Sequence, residues 1–206
     1  MTETAEAPGA MADRWAAGYR RLAGRLTHEI RNLLNGVVVN LEVLKGRSAR
    51  EEVSASALRP FVEAASGEGA RAVALVESFL ALARSAPAPV DLGGALRPLV
   101  AVLHAIAARS GGSVSLEESA VPVEAAADAD SVRCATLAVT ESSLDAGRDI
   151  RLQLDALADH VELRFSGVDA PSPSNIVIDS NVFLRPVASG GVLIRFPRPT
   201  RQAETP

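Results

Sequence analysis

Nine apolar residues early in the chain, Trp15, Tyr19, Leu22, Leu26, Ile30, Leu33, Val37, Leu41 and Leu44, recur at spacings of 4, 3, 4, 4, 3, 4, 4 and 3. That period predicts an amphipathic helix over about 12–45 with one continuous apolar stripe. Gly46-Arg47-Ser48 supplies a stop. A second stripe, Leu58, Val62, Ala65, Ala72, Val76, Phe79 and Ala83, predicts a helix over about 56–84. Pro60 is tolerated near its start, whereas Gly67 and Gly69 loosen its middle. Two long helices joined by a short loop make an antiparallel hairpin. Such a hairpin cannot bury both stripes by itself. The expectation is therefore a homodimer, whose paired hairpins complete a four-helix bundle.

The pattern changes at Ser85-Ala86-Pro87-Ala88-Pro89, which marks a boundary between a helical hairpin at 12–86 and a second domain at 90–199. The second domain opens with an apolar helix from Leu92 to Arg109, expected to kink at Pro98. Strand-like runs follow at 113–117 and 121–126, and Asp130 opens a helix reaching about Leu144. Ile150–Leu154 and Val161–Phe165 alternate with period two, as a hairpin would. Strands at 176–178 and Val192–Phe196 complete the pattern. Helices interleaved with a mixed sheet predict a small two-layer α/β sandwich, giving an α plus α/β chain.

Charge and composition remove several function classes. Residues 1–86 carry 11 basic and 10 acidic side chains (net +1) and the rest carry 10 and 15 (net −5), which together give the formal −4 of the 206-residue chain. Neither half has the basic excess that nucleic-acid binding favours. Lys45 is the only lysine and lies outside any glycine-rich setting, so a Walker-type phosphate loop is excluded. A single cysteine, Cys134, excludes a disulfide framework. No apolar run approaches the roughly 20 residues that span a bilayer, and Met1–Ala12 has no signal-peptide core. A cytoplasmic protein with no membrane partner is expected.

The chemistry lies opposite the apolar stripe. Arg21, Arg25, His28, Asn32 and Asn35, spaced 4, 3, 4 and 3, form a polar line down the first helix. An exposed histidine in its neutral form is a nucleophile at physiological pH. Glu29 beside it is suited to accept or orient a ring proton. Asn32, one turn on, is suited to hydrogen-bond a phosphoryl oxygen or a water, and Arg25 or Arg31 to offset phosphoryl charge. By spacing alone, a solvated helix face with a chance histidine reads equally well.

The string Leu26-Thr27-His28-Glu29-Ile30-Arg31-Asn32-Leu33-Leu34 resembles the H-box of two-component histidine kinases, His-Glu-(Ile/Leu)-Arg-(Thr/Asn)-Pro-Leu. Val76–Arg84 resembles the end of the second helix of that family's dimerisation and histidine phosphotransfer domain, and Pro89-Val90-Asp91-Leu92 the link into its ATP-binding domain. The resemblance covers about residues 15–110. It implies that His28 is the phosphoacceptor, Glu29 the adjacent acid-base residue and Asn32 the residue that orients water when a partner receiver is dephosphorylated. Arg25, Arg31 and Asn35 are the expected docking residues. Leu33 stands where the family usually has proline.

The second domain resembles the family's ATP-binding domain in element order and departs from it in its working parts. The magnesium-binding asparagine aligns with Ser142, and a second asparagine one turn earlier with Ala138. Gly167 falls where the adenine-binding aspartate belongs. Of the glycine-rich lid box, only Ser189-Gly190-Gly191 remains. Phosphoryl transfer from ATP needs positioning and charge neutralisation that these residues do not supply.

The resemblance thus implies a bacterial-type histidine phosphotransferase with a degenerate ATPase-like domain. It would relay a phosphoryl group between receiver-domain aspartates through phosphohistidine at His28, binding no cofactor itself while the receiver holds Mg²⁺. Response-regulator receivers and an upstream hybrid histidine kinase are the implied partners. Two alternatives stay open: a divergent kinase labelled from ATP, and a dimeric docking protein or receiver phosphatase using Asn32. Of the remaining candidates, His104 reads as a partly buried structural residue, and His160 as solvated in a hairpin turn. Asp128 and Asp130 read as a helix N-cap, Cys134 as core, Arg195 and Arg198 as solvated, and the tail Thr200–Pro206 as disordered. No metal site is expected from three histidines in separate elements.

Overall fold

The structure is a computed structural model that describes residues 10–49, 54–117, 119, 121–169, 183–187 and 191–199. Helix α1 (Ala10–Ser48) has 39 residues, about 58 Å at 1.5 Å per residue, and pairs with α2 (Ala55–Leu82). It runs unbroken through Leu33, where a proline would have removed an amide donor. A two-residue strand β1 (Val90–Asp91) then leads into α3 (Leu92–Ala108), which the Asp91 carboxylate caps by accepting from the Gly94 amide. Pro98 lies inside α3 without interrupting it.

Strand β2 (Ser113–Glu117) is followed by β3 (Glu124–Ala125), α4 (Ala129–Thr140) with a 3-10 turn at Glu141–Ser143, and the hairpin of β4 (Asp149–Ala156) and β5 (His160–Ser166). Strands β6 (Phe183–Pro186) and β7 (Val192–Pro197) complete a five-stranded sheet of order β2-β4-β5-β7-β6, parallel only between β2 and β4. The run expected at 121–126 pairs with β1 over Glu124–Ala125 alone, and Pro122 has no amide hydrogen to extend it. The strand expected at 176–178 and the tail from Thr200 lie outside the described residues.

The two-layer sandwich is present. Ile150, Leu152, Val161, Leu163, Phe165, Val192, Ile194 and Phe196 alternate toward Leu96, Leu99, Leu103 and Ile106 of α3 and Val132, Ala135 and Val139 of α4. The change of pattern at 85–89 is a change of architecture, whereas the packing runs straight across it. Trp15, Leu22 and Leu26 of α1 and Leu75 and Leu82 of α2 belong to the same apolar cluster as the sandwich. Of the second stripe, Ala65 and Ala72 are buried as expected, but the buried line continues through Leu75 and Leu82 in place of Val76 and Ala83. Leu75 and Leu82 are enclosed, while Val62 and Val76 are 48% and 37% exposed.

A buried arginine that no local pattern singles out closes the junction. Arg133, 5% exposed on α4, donates to the carbonyls of Ala95 (3.2 Å), Leu82 (3.3 Å) and Arg84 (2.8 Å) and pairs with Asp130. It thereby satisfies carbonyls at the end of α2 that have no helical partner. Burial lowers its pKa, with the Asp130 carboxylate opposing.

Candidate functional site

Helix α1 carries the polar line that the spacing predicts, and the fold divides that line at His28. Upstream, Arg21 makes a bidentate pair with Glu141 (Nε–Oε1 2.7 Å and Nη2–Oε2 2.9 Å), and Arg25 pairs with Asp145. The hydrogen bonds that Arg21 donates to Glu141 raise its pKa against a partial burial cost. Arg25, expected to contact a partner, is thus engaged by the chain's own second domain. From His28 onward the side chains are free. His28, Arg31, Asn32 and Asn35 are all exposed. Among the described residues no hydrogen bond or ion pair engages the imidazole of His28. A helix backbone holds these groups in fixed relative positions while their polar atoms stay open to an incoming partner.

Glu29 is half-buried. With Leu33 it lines a groove of about 540 Å³ between the hairpin and the sandwich, together with Arg71, Leu75, Ser78 and His104. No sequence pattern announced this groove, because its walls come from four elements brought together only by folding. His104, expected to be a partly buried structural residue, is exposed at its edge, and its Nδ1 accepts from the Val114 amide at 3.3 Å.

The positions aligned with nucleotide ligands are filled otherwise. Ala138 and Ser142 are exposed. Gly167 has φ +78°, and a Cβ built there would lie 2.0 Å from the Asp149 carbonyl oxygen, so this backbone has no room for an aspartate. The nearby carboxylate Asp169 is paired with Arg148 at 2.5 Å, and its amide donates to Ser143 Oγ at 3.1 Å.

The other candidates are placed as follows. Asp128 caps α4 through bonds from the Ser131 amide (2.8 Å) and hydroxyl (2.7 Å), as expected, while Asp130 accepts from Ser85 and Arg133. Cys134 is partly buried against the core. His160 is not a solvated turn residue. It opens β5 and bridges Asp159 (2.6 Å) and Glu162 (3.3 Å). Arg195, also expected in solvent, bonds Glu162 at 2.8 Å, and Arg164 bonds the same carboxylate at 2.7 Å. Glu162 is only 3% exposed. Its burial pushes its pKa up, but the bonds from His160, Arg195 and Arg164 together outweigh that and hold it below the usual glutamate range. Arg198 donates to the Leu157 carbonyl at 2.9 Å. Among the described residues no group of three histidine, cysteine or acidic side chains could hold a metal ion, and no helix is long and apolar enough to cross a membrane.

No curated protein sequence matches the chain. Solved structures that resemble it include the histidine kinase ThkA in complex with the response regulator protein TrrA (12% identity, 96% of this chain and 69% of that one, TM-score 0.43). Others are the Acinetobacter baumannii histidine kinase AdeS (10%, 82% and 97%, 0.42) and a bacterial phosphotransferase (11%, 94% and 99%, 0.42). At these scores the likenesses carry no argument of their own. The sequence itself matches the His Kinase A (phospho-acceptor) domain family over residues 19–87. That segment contains His28, most of α1 and the whole of α2, so over it the chain is similar to a histidine kinase phosphoacceptor domain.

Proposed function

We propose that this protein is a histidine phosphotransferase that passes a phosphoryl group between receiver-domain aspartates through His28 and does not use ATP. The observation that carries this reading is the exposed, unpartnered imidazole of His28 within a phosphoacceptor domain. A ring nitrogen of neutral His28 attacks the phosphorus of a receiver's aspartyl phosphate. The N–P bond forms, the acyl-phosphate P–O bond breaks, the carboxylate leaves and the ring releases its proton. The second receiver's aspartate reverses these steps. The receiver supplies the Mg²⁺ that offsets phosphoryl charge. Glu29 is suited to orient the ring, and Asn32, Arg31 and Asn35 to meet the receiver beside it.

Two further observations support the details. The glycine-only backbone at Gly167, with Ala138 and Ser142 in place of polar ligands, favours the ATP-independent route. The hairpin also leaves Leu34, Val38 and Leu41 of α1 and Val62, Val73 and Leu80 of α2 about half exposed. These residues suit burial against a second copy in a four-helix bundle. The test is incubation with a receiver carrying radiolabelled aspartyl phosphate, beside a lane with labelled ATP alone. The expected result is acid-labile label on the wild-type protein, none on His28→Ala and none from ATP. Label from ATP alone would instead make the chain a kinase.

A further inference from the structure

Two independent features fix how far the second domain can slide along α1. The first is ionic. Arg21 and Arg25 lie one turn apart and meet Glu141 and Asp145, which are also four residues apart. The α1 residues at this spacing are Ala17, Arg21, Arg25 and Glu29. A slip of one turn in one direction would set Glu29 against Asp145, carboxylate to carboxylate. A slip in the other direction would set Ala17 against Glu141 and lose a pair.

The second feature is steric. Gly18 is buried, and a Cβ built on it would lie 2.7 Å from Leu137 Cδ2 of α4. The residues one turn away in either direction are Arg14 and Leu22, whose larger side chains would have to displace the Leu137 side chain to take that place. Exposed ion pairs contribute little to stability. Here the apolar contacts of Trp15, Leu22 and Leu26 hold the two parts together, and the charges and the glycine select one register among otherwise similar ones.

We infer that Arg21, Arg25, Glu141 and Asp145, with Gly18, are positioning residues that lock the C-terminal sandwich in one register on α1, making it a fixed wall beside His28 for an incoming receiver. The lock acts on docking and leaves the reactivity of the ring itself alone. This rests on the relay reading above, and the test separates the two.

The reversal Glu141→Arg with Asp145→Arg is made in the full chain, beside a rescue that adds Arg21→Glu and Arg25→Glu. Spin labels at Glu42→Cys and Ala138→Cys, in a Cys134→Ala background diluted with excess unlabelled chain so that each dimer carries one labelled copy, report the distance between hairpin and sandwich. The wild type gives a single narrow distribution, the reversal broadens or shifts it, and the rescue narrows it again. Label transfer from a phosphorylated receiver falls at least tenfold in the reversal and recovers in the rescue. Labelling of His28 by phosphoramidate, a small donor that needs no docking, stays unchanged. Gly18→Leu shifts the same distance without altering any charge. An unchanged distribution in the reversal would overturn the lock, and a changed distribution with undiminished transfer would overturn its role in positioning. Failure of every receiver to label the wild type would sink the relay reading, while the distances still decided whether the register is fixed.

Discussion

In the sandwich, Ile150, Leu152, Val161, Leu163, Ile194 and Phe196 are fully enclosed, and the buried carboxylate of Glu162 meets two arginines and a histidine. In the hairpin, Leu34, Leu41, Val73 and Leu80 are half exposed or more, and His28, Asn32 and Asn35 engage no other described residue. The first is a finished object and the second is not. A part that satisfies its own groups serves as scaffold. A part that leaves apolar surface and polar groups open is suited to partners, and the function proposed above would place a second hairpin on the apolar side and a receiver on the polar side.

The largest expected effect comes from breaking the scaffold at its joint. Arg133→Met removes three hydrogen bonds to buried carbonyls, and urea denaturation should show a loss of about 3 kcal/mol. An unchanged midpoint would mean that the sandwich does not depend on this junction. On the unfinished side, Leu34→Glu with Leu80→Glu places charges on the open apolar face. Light scattering should then report a mass near 21.4 kDa where the wild type gives about twice that. A wild-type protein that is already monomeric would remove the second-copy explanation of that face.

A smaller effect sharpens the comparison through pH. The Glu162 pKa is depressed in the folded chain, so its stabilisation is present above about pH 4.5 and is lost as pH falls through the lower folded value. Glu162→Gln should therefore lower stability by about 1–2 kcal/mol at pH 7, with the two proteins converging in acid. Parallel curves would show that the cluster contributes nothing through its charge. The smallest effect belongs to the reactive group. His28→Ala should change stability by less than about 0.5 kcal/mol, because the ring is exposed and no hydrogen bond or ion pair ties it to a described residue. A larger loss in a melting curve would give the histidine a structural role.

What could be read in advance follows the same divide. The ends of α1 and α2 were legible to within about three residues, since long periodic stripes and helix stops are local signals. The β4–β5 hairpin and the Asp128 cap were legible for the same reason. The polar line through His28 was legible as a line, but its division into engaged and open halves was not. That division depends on Glu141 and Asp145, 120 residues away. Arg133 was invisible because an arginine on a helix is ordinarily solvated, and only the convergence of α2, α3 and α4 buries it. Likewise Gly18 has no local signature, since its purpose is the approach of Leu137. His160 and Arg195 were misplaced because the register that sets Glu162 opposite Arg195 is a tertiary fact.

The central claim is that phosphate passes through this chain, and reconstitution with two receivers tests it most directly. One receiver carries radiolabelled aspartyl phosphate and a second, unlabelled one is added with Mg²⁺. The account predicts label on the second receiver only when this protein is present, and none with His28→Ala. Label that stays on the first receiver, or appears only as free phosphate, would contradict it, and free phosphate that depends on Asn32 would identify a phosphatase instead.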